Sequence, residues 1–217
     1  MHKNRMRRTP SRLLVCLGTA LAASAAHAEG FVDVRLGAAM TESGTLEIGV
    51  GSSVTRSRIR FEDSLSTGVR GGYWIDPLPW LGVALDVSYF SPDQENAVDP
   101  FDIYVVPFSA LLMLRAPLLP DDDCPNGRLQ PYGAIGPGLF LTIADEDFAD
   151  FTAASADIGL DVRGGLNIHL LRWLAIFAEY RYTRFDADLD DDFFGTPVMF
   201  DADFDTHHVT GGVGFHF

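Results

Sequence analysis

The sequence predicts an all-β chain, an eight-stranded antiparallel up-and-down transmembrane β-barrel, on three observations. Apolar and polar residues alternate strictly over long stretches, the alternation recurs eight times, and the intervening connections are short and long by turns. A half-buried strand has a side-chain period of two, whereas a helix would place apolar residues at i, i+3 and i+4. Alternating connection lengths mean that one end of the sheet is trimmed and the other elaborated, the layout of a barrel with short turns on one side of a membrane and long loops on the other.

The strands are predicted at about 31–40, 64–74, 80–90, 102–115, 130–142, 155–168, 173–185 and 205–217. In the first, Val32, Val34 and Leu36 alternate with Asp33 and Arg35; in the second, Val69 stands next to Arg70. The third puts Leu81, Val83, Leu85, Val87 and Tyr89 on one face and Gly82, Ala84, Asp86 and Ser88 on the other. The fourth is the most apolar stretch, but Pro107, Arg115 and Pro117 break any membrane-crossing helix there. The fifth opens with Pro131-Tyr132-Gly133-Ala134-Ile135-Gly136. In the sixth, Ile158, Leu160 and Val162 alternate with Asp157, Asp161 and Arg163; in the seventh, Leu174 and Ile176 share a face opposite Glu179 and Arg181. The eighth ends Val213-Gly214-Phe215-His216-Phe217. Short turns fall at Asp76-Pro77-Leu78-Pro79 and Leu170-Leu171-Arg172, a medium one with an Asn126-Gly127 turn signal at 120–128, and long polar connections at 41–63, 91–101, 143–154 and 186–204.

Charge decides which face looks where. Assigning the charged strand positions to the lumen collects Asp33, Arg35, Arg70, Asp86, Arg115, Asp157, Asp161, Arg163, Glu179 and Arg181, five acids and five arginines. A balanced set can pair inside a narrow barrel, where an unpaired charge would be costly. The opposite positions form an apolar belt (Val32, Val34, Leu36, Val69, Leu81, Val83, Leu85, Ile158, Leu160, Val162, Leu174 and Ile176) that a soluble barrel would have no use for outside. Aromatics gather near the ends: Tyr73, Trp74, Trp80, Tyr132, Trp173, Phe215 and Phe217 by the short turns, and Tyr89, Phe90, Phe101, Tyr104, Tyr180, Tyr182 and Phe185 by the long loops. Two such girdles suit the interfaces of a bilayer.

Residues 1–28 read as an export signal: a basic start ending at Arg12, an apolar run over 13–23, and the small-x-small sequence Ala26-His27-Ala28. The barrel domain is then 29–217. The whole chain has 217 residues and a formal charge of −14. Five of its 16 bases (Lys3, Arg5, Arg7, Arg8 and Arg12) lie in the signal, so the remaining 189 residues carry 11 Arg against 30 acids, a formal charge of −19. Such a chain is repelled by phosphate backbones, which excludes nucleic-acid binding. Cys124 is the one cysteine after residue 28, so no internal disulfide is expected.

These features resemble the small outer-membrane β-barrel proteins of Gram-negative bacteria, similar to the OmpA transmembrane domain and OmpX. The resemblance rests on the signal ending, the Phe177-Ala178-Glu179-Tyr180-Arg181-Tyr182 strand, the Pro131–Gly136 segment and the last strand. It implies an outer-membrane location, contact with lipid and lipopolysaccharide, and recognition of Val213, Phe215 and Phe217 by the outer-membrane assembly machinery. Cell-wall tethering through a second domain is not implied. Three Gly-Gly pairs, in Val69-Arg70-Gly71-Gly72, Val162-Arg163-Gly164-Gly165 and Val209-Thr210-Gly211-Gly212, are expected to ease curvature and make room for arginine side chains.

No catalytic constellation stands out. His207 and His208 lack a neighbouring serine, and His169 and His216 read as solitary residues near the periplasmic ends. Asp186, Asp188, Asp190 and Asp192 are weak candidates for Ca²⁺ or Mg²⁺ in the last long loop, but Asp191 and Pro197 occupy the positions where an EF-hand needs Gly and Glu. No cofactor is expected beyond loosely bound Ca²⁺ or Mg²⁺ at the acidic loops. An eight-stranded barrel is narrow enough to be filled by side chains. The expected role is therefore structural or interactive, with an unknown extracellular partner. The alternatives are a narrow channel for small solutes or apolar compounds, as in OmpW-like barrels, and a lipid-A-modifying enzyme. The detergent-folded protein should be β-rich by circular dichroism and migrate differently on gels before and after boiling; equal mobility with solubility in plain buffer would instead make it a soluble β-protein.

Overall fold

The computed structural model describes residues 29–42, 44–50, 53–59, 61–92, 102–146, 151–193 and 196–217. The expected export segment and Phe101 lie outside the described residues. Among the described residues ten strands run in chain order: β1 Glu29–Thr41, β2 Gly44–Val50, β3 Ser53–Ile59, β4 Ser64–Ile75, β5 Leu78–Phe90, β6 Asp102–Arg115, β7 Leu129–Glu146, β8 Phe151–Leu171, β9 Leu174–Phe193 and β10 Thr196–His216. Eight of them form the barrel, in the order β1-β4-β5-β6-β7-β8-β9-β10, and antiparallel pairing of β1 with β10 closes it. Closure leaves no free edge within the membrane, which is what lipid demands of a strand protein.

The remaining pair, β2 and β3, occupies the connection expected to be a loop over 41–63. It folds as a hairpin, and β2 adds to the outer part of β10 from Ala202 to Val198. Two other long connections are also shorter than expected. β7 and β8 stay paired out to Glu146 and Phe151, and β9 and β10 out to Phe193 and Thr196. Crossing hydrocarbon takes about 9–11 tilted residues. The 20 and 21 residues of β9 and β10 therefore project far past the membrane at the long-loop end. Acidic residues with low strand propensity line this extension, and the partner strand's backbone ladder holds them in place.

At the opposite end β4–β5 and β8–β9 turn within two residues, and the β6–β7 connection is longer, at 116–128. The β6–β7 connection turns at Gly127, whose φ is +90° and whose N–H donates to the Cys124 carbonyl at 2.9 Å. A Cβ there would lie 2.5 Å from the Leu118 carbonyl oxygen, so glycine is required. In the same turn, the Arg128 guanidinium beside Asp121, with the Cys124 N–H, holds the Asp121 carboxyl below the usual carboxylate range. Cys124 is free and buried within this turn.

The alternation sorts side chains as the belt assignment requires. Val34, Leu36, Val69, Leu85, Ile158, Leu160 and Ile176 all face outward. Four aromatics assigned above to the girdles do not belong there. Trp74, Phe90, Tyr132 and Phe185 are buried in the lumen, because their strand parity points them inward whatever their height. Tyr73, Trp80, Trp173, Phe215 and Phe217 at one end, and Tyr89 and Tyr180 at the other, do face out.

The lumen is filled in layers. Toward the long-loop end, Ala39, Phe90, Ile103, Val105, Phe140, Phe185 and Phe204 form an apolar plug, with the Phe140, Phe185 and Phe204 rings stacked at 4.2 and 5.0 Å. Toward the short-turn end, Phe31, Trp74, Ala84, Leu111, Met113, Tyr132 and Ala134 form a second apolar layer. The charged residues lie between the two.

The Gly-Gly pairs act differently from the expectation. The second glycine of each pair faces inward, and its missing Cβ admits an aromatic ring rather than an arginine. A Cβ would lie 2.8 Å from Phe31 at Gly72, 2.6 Å from Tyr132 at Gly165 and 2.5 Å from Phe177 at Gly212. Overpacking of this kind costs about 1–3 kcal/mol. Gly165→Val should therefore lower the urea midpoint of the barrel in lipid vesicles, while Gly164→Val, with nothing within 4 Å of its Cβ, should leave it unchanged or raise it. Equal midpoints for the two variants would contradict the ring-seating role.

Candidate functional site

Eight charged side chains meet at mid-height: Arg35, Arg70, Arg163 and Arg181 with Asp33, Asp86, Asp161 and Glu179. Each is at most 3% exposed, so water does not solvate them and they must neutralise one another. Arg35 grips Asp86 through both Nη atoms, Nη2 donating to Oδ1 at 2.7 Å. Arg163 reaches three acids, donating to Asp161 at 2.8 and 2.9 Å, to Asp86 at 3.0 Å and to Glu179 at 3.4 Å. Arg181 donates to Asp161 at 2.8 and 3.1 Å and to the Ser88 hydroxyl at 2.7 Å. Arg70 donates to Asp33 at 2.7 and 2.9 Å and pairs with Glu179. The result is one continuous chain of contacts from Asp33 to Arg181, with four charges of each sign.

Neutral residues complete it. The Tyr132 hydroxyl donates to Glu179 at 2.8 Å, and the Ser109 hydroxyl to Asp161 at 2.6 Å. The Arg70 guanidinium lies 5.2, 5.7 and 6.0 Å from the ring centres of Tyr132, Phe177 and Phe31, the three rings seated on the inward glycines. Such cation–π contacts strengthen where water is absent.

Two of the ten residues assigned to the lumen charge network stand apart from it. Asp157 is half-buried and accepts a hydrogen bond from Ser155 at 2.7 Å. Arg115 sits at the short-turn mouth, 4.2 Å over the Trp74 ring centre, donating to Glu29 at 2.6 and 3.1 Å and to the Pro79 carbonyl at 2.7 Å. Ser88, Ser109, Tyr132 and Glu29 are contributors that sequence reasoning missed. For the first three, the strand alternation itself carried the signal.

The histidines also need correction. His169 and His216 are not solitary: their ring centres are 4.5 Å apart, and His216 Nδ1 lies 2.8 Å from Glu29. His207 and His208, being consecutive on a strand, point to opposite faces. His207 faces outward, 2.6 Å from the Tyr180 hydroxyl and 3.1 Å from Glu42. His208 is fully buried between Ser66 and Thr183, at 3.2 and 3.4 Å. Asp186, Asp188, Asp190 and Asp192 lie on β9 as alternate residues of a strand, not in a loop, paired across to Asp203, Asp201, Met199 and Pro197. Val213, Phe215 and Phe217 all face outward on or just after β10.

Residues 13–217 match the family described as outer membrane protein beta-barrel domain. The chain belongs to this family. It is an integral β-barrel protein of the outer membrane, with its apolar belt in lipid. Among solved structures, this outer-membrane barrel is similar to OprG from Pseudomonas aeruginosa, with a TM-score of 0.67 and 19% identity over 88% of this chain and 97% of that one. It is also similar to Neisserial surface protein A, with a TM-score of 0.54 and 16% identity over 87% and 97% of the two chains. AlkL, solved by solid-state NMR in lipid bilayers, gives a TM-score of 0.55 at 16% identity over 100% and 97%. No curated protein matches the chain in sequence.

Removing one acid from the network strands the arginines it neutralises. Glu179→Ala leaves Arg70 and Arg163 short of an anion and should cost about 3–5 kcal/mol. Tyr132→Phe, which deletes the hydrogen bond to Glu179 and the 3.3 Å one accepted from Arg70 but leaves every charge paired, should cost about 1–2 kcal/mol. Urea unfolding in lipid vesicles measures both, and a Glu179→Ala loss no larger than that of Tyr132→Phe would refute the pairing role.

Proposed function

We propose that this outer-membrane barrel is a non-catalytic envelope protein that works through its surface rather than through a pore. The observation that carries this reading is the filled lumen: two apolar layers enclose a neutral ion-pair network with no exposed charge to conduct ions. What remains for function lies outside, in the projecting β9–β10 hairpin and the β2–β3 hairpin beside it. Among the described residues the outer edge of β3 pairs with no strand of the sheet, and such an edge is a template for a partner's backbone. The acid pairs Asp186/Asp203 and Asp188/Asp201 stand directly across the β9–β10 ladder, where like charges repel. Ca²⁺ or Mg²⁺ shared with lipopolysaccharide phosphates would relieve that repulsion.

The non-catalytic reading has local support. Ser66 and His208 are a hydroxyl–imidazole pair, but both are completely enclosed and the other nitrogen of His208 faces Thr183 instead of a carboxylate. Export through residues 1–28, and reading of Val213, Phe215 and Phe217 by the assembly machinery, complete the proposal. Those three residues form an outward apolar row at the end of the chain.

One observation favours a second reading, a lateral route for small apolar compounds. The β5–β6 ladder lapses between Val87↔Phe108 and Phe90↔Val105, opposite Pro107, which has no N–H to donate, and the apolar plug lies beside it.

The two readings part in one experiment. The purified barrel in planar bilayers should give no conductance steps, its expression should leave lipid A unchanged by mass spectrometry, and deletion of 44–59 should abolish cell-surface attachment while the barrel still folds. Solute-dependent conductance, or uptake of an apolar dye that Pro107→Ala suppresses, would favour the channel.

A further inference from the structure

The periplasmic mouth contains a group of side chains that neither the lumen network nor the projecting surface uses. Glu29 on β1, His169 on β8 and His216 on β10 each offer a donor atom, and these atoms lie within 4.8 Å of one another. Both histidines are more than nine-tenths buried, and Nε2 of each is enclosed with no hydrogen-bond partner. A buried nitrogen without a partner forfeits its hydration, and two side by side need an explanation.

His216 Nδ1 lies 2.8 Å from Glu29 Oε1, so that ring is held on one side with its Nε2 bare, and the bare Nε2 of His169 stands beside it. An imidazole that donates one N–H to a carboxylate or carbonyl and presents the other nitrogen is the usual arrangement of a metal-ligating histidine. Zinc-bound imidazoles have Zn–N distances of about 2.0–2.1 Å, which in tetrahedral geometry puts their ring centres roughly 5 Å apart. The 4.5 Å separation here needs only a small adjustment.

We propose that this mouth binds one divalent first-row transition-metal ion of the zinc class. His169 Nε2 and His216 Nε2 are its ligands, Glu29 orients the His216 ring, and water fills the remaining positions. Imidazole nitrogens select zinc, copper or nickel over the Ca²⁺ or Mg²⁺ proposed for the outer acids. Arg115 faces the same carboxylate at 2.6 and 3.1 Å, the Asn126 amide donates to that carboxylate at 2.7 Å, and the Gln130 amide oxygen accepts from Arg115 at 3.1 Å. The guanidinium balances Glu29, so the mouth is neutral before the ion enters, and affinity in the micromolar range is expected. The bound ion would tie β8 to β10 and, through Glu29, to β1, across the seam where the barrel closes. The proposal stands apart from the surface-interaction reading and does not depend on it.

The test uses the whole protein, purified from membranes without a polyhistidine tag, stripped with chelator and titrated with Zn²⁺ by calorimetry and with Co²⁺ by visible absorption. One ion per chain is expected, with at least tenfold weaker binding in His169→Ala and in His216→Ala, and about tenfold weaker binding in Glu29→Gln. His207→Ala, at the outer end, should bind as the parent does. Gel mobility before and after boiling shows whether each variant folds. If the histidine variants do not, zinc-edge X-ray absorption of the parent must show two imidazole ligands at about 2.0 Å. No binding by the parent at 100-fold excess Zn²⁺, full binding by folded histidine variants, or a spectrum without two imidazoles would each overturn the proposal.

Discussion

A guanidinium at the centre of a narrow membrane barrel has no water to solvate it, so it must find carboxylates at the same height. That constraint governs the rest of this structure. Four arginines and four acids, drawn from β1, β4, β5, β8 and β9, share one neutral cluster. Because Glu179 serves Arg70 and Arg163 while Asp86 serves Arg35 and Arg163, none of these five strands can slip by one residue without moving a charge into lipid. The network need not be strongly stabilising to matter: replacing buried ion pairs with apolar residues is often neutral or better. Its effect is to make a single strand register acceptable.

Fitting those guanidinium groups beside aromatic rings takes space that eight strands barely supply. The inward glycines provide it. Gly72, Gly165 and Gly212 let the rings of Phe31, Tyr132 and Phe177 lie against backbone, and these rings then border Arg70. Gly68 does the same directly for Arg35, whose Nη2 would be 2.7 Å from a Cβ there. Glycine weakens a strand on its own. Here the local loss is set against a ring and a cation that could not otherwise share the lumen.

Facing was legible in the sequence because it depends on a period of two, which any strand displays locally. Asp33, Arg70, Asp161 and Glu179 declared themselves in this way, and so did the outward row ending at Phe217. Height along the barrel proved a poor guide to aromatics: Tyr132 and Trp74 sit where a girdle would be, yet their parity turns them inward. The β2–β3 hairpin and the long β9–β10 extension were hidden for another reason. Residues 186–192 are mostly aspartate and have little strand propensity, so only pairing with a partner strand makes them extended. His169 and His216 were beyond local reasoning altogether, since they lie on β8 and β10 with β9 between them. Only the curvature of the closed wall brings their rings to 4.5 Å.

The same curvature explains why the two ends of the barrel differ in chemistry. At the long-loop end, hairpins run on past the membrane and carry the aspartate-rich stretch of β9 with them. At the short-turn end, β4–β5 and β8–β9 turn back within two residues and the β6–β7 connection folds against the mouth, so polar side chains that reach it are trapped among strands. Glu29, Arg115, Gln130 and His216 therefore bond to one another. A strongly negative protein can thus keep a neutral interior, because most of its excess charge falls in the segments that run past the membrane.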